Sequence, residues 1–321
     1  MRVTDLACSL MVLVPACFAF ALAQIAPGKS PAEPRETWVH KFAAVNGVKL
    51  HYVEQGKGPA ILFLHGFPEF WYAWKDLLPE FAKDHRAIAL DMRGYNLSES
   101  PAAVEAYRVP VIVEDVRALM AELGARKFVL VGHDWGGVIA WYFAAAHPEM
   151  LDRLVIINAP HPAIFARELA GNPDQQNASA YFNLFTSPAA ESVLGQNDFQ
   201  PLQALLKEWG TDVDRQKYLE CWRRGLTGGL NFYRAANLKS PAGGGQADPA
   251  ASQGLVSIAP IAVPTLVIWG EKDTALLTGN LNGLEEQVRN LKVRRVPDAD
   301  HWVVHEKPAL VIQTMREFLK P

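Results

Sequence analysis

Cysteine is scarce: the 321-residue chain has three, at positions 8, 17 and 221. The first two fall in an apolar N-terminal segment, and loss of that segment would leave Cys221 alone, so the mature chain has no intramolecular disulfide. No cluster of Cys and His has metal-ligand spacing, so no metal site is expected. Long basic runs are missing as well, and the net charge is −3, which gives nucleic acid nothing to bind. There is no internal repeat and no glycine-rich phosphate loop. The composition is 50% hydrophobic, which excludes a disordered chain and is enough for a sizeable core.

The N-terminus stands apart. Arg2 opens it, residues 6–23 are almost wholly apolar, and Ala21-Leu22-Ala23 puts small residues where signal peptidase cleaves. Residues 1–23 are therefore expected to be a signal peptide, with export to the periplasm or the medium and no stable membrane insertion after cleavage. A retained anchor stays open, because the run is near the lower limit for a span. Residues 24–36 form a proline-rich linker.

Beyond it, residues 48–53 alternate and are predicted to form an edge strand. Short apolar runs at 60–64, 87–90, 128–131, 154–157 and 265–269 follow, with a last strand at 293–296. Helical patterns separate most of them. Strands without alternation, interleaved with helices, imply a mostly parallel sheet covered on both faces. The pattern breaks at Pro160-His161-Pro162, and residues 163–252 carry helical and loop sequence without a buried strand. They are expected to form a helical cap inserted into a core of residues 37–162 and 253–321. The cap's exit, from Pro241 to Pro249, is rich in glycine and reads as a flexible loop.

The most informative segment is Val131-Gly132-His133-Asp134-Trp135-Gly136-Gly137. Glycines two before and two after Asp134, between a strand and a helix, make a nucleophile elbow. An aspartate at its tip decides the chemistry. A carboxylate that attacks a saturated carbon forms an ester, and water can then cleave that ester at the enzyme's own carbonyl. The electrophiles that suit it are epoxides and carbon–halogen bonds. In chain order Asp273 and His301 follow later strands, the order of a hydrolase triad. His301 would activate water and Asp273 would orient its ring. Asp273 also fits a helix N-cap, and Glu271 is a rival acid. His305 is a rival base, one helical turn onward on what reads as a surface face. His133 reads as support for the elbow.

Together with His65-Gly66-Phe67-Pro68-Glu69-Phe70-Trp71-Tyr72-Ala73-Trp74, Asp91-Met92-Arg93-Gly94-Tyr95, Trp269-Gly270-Glu271-Lys272-Asp273 and Asp300-His301-Trp302, the elbow resembles the aspartate-nucleophile branch of the α/β-hydrolases, most closely the epoxide hydrolases. The resemblance runs from about Trp38 to Lys320. It implies the α/β-hydrolase fold with an inserted helical cap and no cofactor. It also implies an oxyanion hole from the backbone N–H groups of Phe67 and Trp135, and a cis Phe67–Pro68 peptide. An epoxide opens to a basic alkoxide and needs an acid. The family's two lid tyrosines match Tyr181 and Tyr233, the latter in Asn231-Phe232-Tyr233-Arg234. Either residue also fits a core aromatic. The expected partner is a small apolar epoxide, and a homo-oligomer is not excluded. The alternatives are a haloalkane dehalogenase with the same nucleophile, or a catalytically silent binding protein on the same fold. Dehalogenases often carry asparagine where this chain has Phe67.

Overall fold

The computed structural model describes residues 38–206, 209–242 and 258–320. The expected signal peptide and linker, and residues 243–249 of the cap's exit, lie outside the described residues.

The described residues form an eight-stranded sheet in the order β1-β2-β4-β3-β5-β6-β7-β8. Its strands are β1 (Val39–Val45), β2 (Val48–Gln55), β3 (Ala60–Leu64), β4 (Arg86–Leu90), β5 (Phe128–His133), β6 (Leu151–Ile157), β7 (Thr265–Gly270) and β8 (Leu291–Val296). β1–β2 and β2–β4 pair antiparallel, and the remaining pairs are parallel. Every residue of β3, β5 and β7 is buried, as strands covered on both faces must be.

One expectation needs correction: the strand at 48–53 is not the edge. β1 lies outside it, joined through Asn46 and Gly47, both at positive φ (48° and 77°). An Asn-Gly pair in that conformation makes the tight hairpin turn that matches strand twist. β1 gives little signal because most of its side chains are exposed and its apolar run, Phe42 to Val45, is short and half alanine, a residue strands disfavour.

Strand order reverses between β3 and β5, since β4 lies on one side of β3 and β5 on the other. Leu64 and Gly132 are register partners at the carboxyl ends of these two strands. A ligand crevice in an open α/β sheet opens at such a switch point.

Between β6 and β7 the chain makes a series of helices, from Pro162–Gly171 to Thr227–Ala235, with Pro173–Ala178, Tyr181–Phe185 and Asp212–Trp222 among them. This is the inserted cap. Its last helix meets the core backbone to backbone: a Cβ on Gly228 would fall 2.1 Å from the Gly94 carbonyl oxygen. Only glycine permits that approach, and it brings Tyr233 over the sheet. Among the described residues no helix is long and apolar enough to cross a membrane.

At the start of the cap His161 is 1% exposed, edge-on to Trp141, and neither ring nitrogen finds a hydrogen-bond partner among the described residues. Burial pushes its pKa down to about 4. An unfolded histidine titrates near 6.5, so between these values the unfolded chain binds a proton that the folded chain refuses. Stability contributed above pH 6.5 is therefore lost as pH falls, by about 2 kcal/mol at pH 5. His161→Leu is expected to abolish that part of the acid loss. Urea unfolding at pH 7 and pH 5 checks it, and an unchanged pH 5 loss in the variant would contradict the assignment.

Candidate active site

β5 ends at His133 and a helix begins at Trp135 (Trp135–Ala146), so Asp134 alone makes the turn. Its φ is 50° and its ψ −123°. For a non-glycine residue such backbone costs about 1–3 kcal/mol and persists only where the surroundings enforce it. The enforcement is visible at Gly136, where a Cβ would lie 2.1 Å from the Leu64 carbonyl oxygen of β3. The elbow helix is thus pressed onto the end of β3. The loop leaving β3 turns back over Asp134, and the Phe67 backbone N–H donates to Asp134 Oδ1 at 2.8 Å. The Phe67–Pro68 peptide is cis. Trp135 is the first residue of its helix, where backbone N–H groups have no acceptor within the helix.

The other carboxylate oxygen, Oδ2, lies 3.8 Å from His301 Nε2. The opposite ring nitrogen, Nδ1, is 2.8 Å from Asp273 Oδ2. Asp273 is buried, and its Oδ1 accepts backbone N–H bonds from Ala275 and Leu276, both at 2.8 Å. The helix N-cap alternative is not realised, because the next helical segment is Thr278–Leu281 with Leu277 at its cap. Asp273 Oδ1 instead closes the turn that follows it, while Oδ2 meets the histidine. Asn158, which follows β6, donates to Asp273 Oδ2 at 2.8 Å and accepts the Gly270 N–H at 2.8 Å. Nothing in the sequence reading singles out Asn158. Its signal is its place at the carboxyl end of a core strand.

Tyr181 and Tyr233 come from two cap helices. Both line, with Asp134, a cavity of about 230 Å³ that Phe67, His301 and Trp302 also bound. The same three residues border a smaller cavity of about 30 Å³ on the other side, walled by Trp135, Val138 and Phe165. The Tyr233 ring packs edge-on to Trp135 at 5.1 Å and to Phe67 at 5.6 Å. Burial, then the Asp134 carboxylate, pushes both phenols well above their ordinary pKa, so both keep their protons. The seven candidate residues therefore converge on one place.

The rivals do not. Glu271 pairs with Arg295, away from His301. His305 corrects an expectation: it faces inward, with a 3% exposed side chain. Its Nε2 is 2.6 Å from Glu69 Oε1, and its ring stacks on Trp209 at 3.8 Å. Glu69 draws it in. This fully buried carboxylate also lies 3.1 Å from His133 Nδ1 and accepts the Tyr218 hydroxyl at 2.8 Å. Burial opposes its charge, but His305 and His133 outweigh that and hold its pKa well below the usual carboxylate range. His133 Nε2 sits 2.9 Å from the His301 carbonyl oxygen. The support expected of His133 thus reaches His301 as well as the elbow.

Burial also opposes a charged His301, yet the Asp273 carboxylate, with Asp134 and Glu69 behind it, raises its pKa to about 9. For Asp273 the balance is the mirror image: burial raises its pKa, but His301 and the N–H donors bring it below the ordinary value. His301 is therefore expected to be an imidazolium in the resting enzyme at neutral pH. NMR titration should place its midpoint near 9 in the free protein, and Asp273→Asn should lower it. A wild-type midpoint near 6.5 would contradict the charge balance.

The comparisons agree with this geometry. Residues 59–308 match the alpha/beta hydrolase fold family. AB hydrolase superfamily protein YfhM of Bacillus subtilis is 35% identical over 291 residues, 87% of this chain and 97% of that one. Epoxide hydrolase 3 of Xenopus tropicalis is 34% identical over 291 residues, 86% of this chain and 76% of the relative. A crystal structure of Bacillus megaterium epoxide hydrolase in complex with an inhibitor superposes with a TM-score of 0.80 at 37% identity, over 87% of this chain and 99% of that one. The chain is a hydrolase of the α/β-hydrolase superfamily and belongs, within it, to the epoxide hydrolase family.

Proposed function

We propose that this hydrolase converts a small apolar epoxide to a vicinal diol through a covalent ester on Asp134. One observation carries the reading: a carboxylate on a strained elbow shares its cavities with two protonated phenols and lies 3.8 Å from a histidine ring. The nucleophile, the acids and the base of a two-step hydrolysis are thereby within reach of one bound molecule.

In the first step an Asp134 oxygen attacks one epoxide carbon and the ring C–O bond breaks. The alkoxide that forms is far more basic than a phenolate and takes a proton from Tyr181 or Tyr233. In the second step water attacks the ester carbonyl of Asp134 and His301 takes its proton. Phe67 and Trp135 N–H groups stabilise the oxyanion. The tetrahedral intermediate then collapses, and the bond from the acyl carbon to the substrate oxygen breaks. The imidazolium protonates the departing alkoxide to give the diol, and the acid left on Asp134 returns its proton to His301. The charge balance links the steps. Ester formation neutralises Asp134, one of the carboxylates that hold His301 up. The pKa of His301 falls, and the proton it sheds restores the phenol. The ring is then a neutral base, as water activation requires.

Haloalkane dehalogenation would use the same nucleophile, but a halide leaves without a proton and gives the two phenols no work. Tyr181→Phe and Tyr233→Phe remove only hydroxyl groups and should leave the fold intact. Each is expected to slow alkylation by an epoxide by about 10²–10⁴-fold, softened where the second tyrosine substitutes, and the double change should nearly stop it. Alkylation by a bromoalkane should barely respond. Stopped-flow measurement with both substrates, with diol and halide assayed, decides it. Wild-type epoxide opening in the double variant would remove the tyrosines from the mechanism. Fast halide release without any diol would overturn the function.

A further inference from the structure

Gln175 is fully buried in the cap helix Pro173–Ala178 and has no part in the mechanism above. A side-chain amide has two donor hydrogens and two acceptor lone pairs, and here all four are used. Nε2 donates to Ser179 Oγ at 3.0 Å and to the Ala275 carbonyl at 2.7 Å. Oε1 accepts the Leu277 N–H at 3.0 Å and Asn280 Nδ2 at 2.8 Å. Turning the amide over would set NH₂ against two donors, so its orientation is fixed.

The two ends of this clamp matter. Bonding the carbonyl of residue 275 and the N–H of residue 277 is what the N–H and C=O of one residue in a neighbouring parallel strand would do. The bracketed residue is Leu276. The N–H groups of Ala275 and Leu276 are the two that hold Asp273 Oδ1. On the cap side, the Ser179 N–H donates to the Gln175 carbonyl at 2.9 Å, and the Phe182 N–H donates to the Ser179 carbonyl at 3.1 Å. Tyr181 stands between them at the start of its helix. One side chain therefore ties the loop that orients the catalytic acid to the turn that presents a lid phenol. Core and cap meet here through bonds with direction, which fix a distance more sharply than apolar packing does.

We infer that Gln175 is a positioning residue that sets the spacing between Tyr181 and the Asp273–His301 pair. The inference rests on the epoxide hydrolase reading. It extends that reading to the relation between the two steps, because ring opening needs Tyr181 and ester hydrolysis needs Asp273–His301. A misplacement of about 1 Å far from the reacting atoms can cost roughly 10²-fold in rate. Loss of the clamp should slow both steps, whereas loss of a single catalytic group slows mainly its own.

Two variants test it. Gln175→Leu keeps the bulk and removes all four bonds. It is expected to slow both alkylation and ester hydrolysis by about 10–100-fold. It should also move the His301 NMR midpoint down from about 9, as the Asp273 loop loosens. Gln175→Glu is the conservative partner. When protonated, its carboxyl can accept from Leu277 and Asn280 and donate to the Ala275 carbonyl. When ionised, it cannot donate. Its rates relative to wild type should therefore recover as pH falls and decline as pH rises, a response that lost packing does not give. The His301 titration needs no substrate, so it separates failure of this inference from failure of the epoxide reading. Wild-type rates and an unmoved His301 midpoint in Gln175→Leu would overturn it. So would a Gln175→Glu rate ratio that does not vary with pH, including where the leucine variant does not fold.

Discussion

The site depends on one strained turn. Asp134 is held at φ 50° because the chain must leave β5 and enter a helix within a single residue. That turn is possible only where the elbow helix can press against β3, which glycine at 136 allows. Its position at the reversal of strand order then places the β3 loop, with the Phe67 N–H, directly on the carboxylate. The acid and the histidine arrive from the ends of β7 and β8, further along the same sheet edge. Distances of 2.8 Å and 3.8 Å between groups far apart in sequence follow from this common edge.

Charge is the second constraint. Asp134, Asp273 and Glu69 lie close around a small volume, two of them buried and Asp134 largely so, and such carboxylates repel one another unless cations or donors balance them. His301 balances the first two, and His133 with His305 balances the third. Two histidines outside the expected triad are thus accounted for by Glu69. The raised pKa of His301 belongs to the same balance, which gives a reason why a resting imidazolium turns into a base only after Asp134 has been esterified.

Much of this was legible in the sequence, and what was missed shares a physical cause. Unalternating runs such as residues 60–64 and 265–269 announce buried parallel strands, and the structure has them at Ala60–Leu64 and Thr265–Gly270. The elbow and the later strand ends pointed to Asp134, Asp273 and His301, because a motif fixes local geometry and strand order fixes the rest. β1 is hard to read because most of its side chains face solvent and its apolar run is short and half alanine, although Asn46-Gly47 is a readable turn signal. Glu69, Asn158 and Gln175 carry no local signature as site groups because each reaches the site through partners far along the chain: 64 and 236 residues for Glu69 with His133 and His305, 115 for Asn158 with Asp273, and 100 for Gln175 with Ala275. No spacing rule encodes such contacts. His305 departs from its expected surface place for the same reason: a helical turn predicts a face, but a buried carboxylate from another loop decides what that face meets.

The central claim is the covalent ester on Asp134, and the origin of the oxygen in the product tests it most directly. Enzyme in excess over an epoxide, in ¹⁸O-labelled water, completes one turnover per active site. If the carboxylate attacks carbon, the oxygen added to the first diol comes from Asp134 and is unlabelled, while the label enters the Asp134 side chain, where mass spectrometry of the peptide finds it. Label in the first diol and an unlabelled Asp134 would show that water attacks the epoxide directly, and would contradict the account.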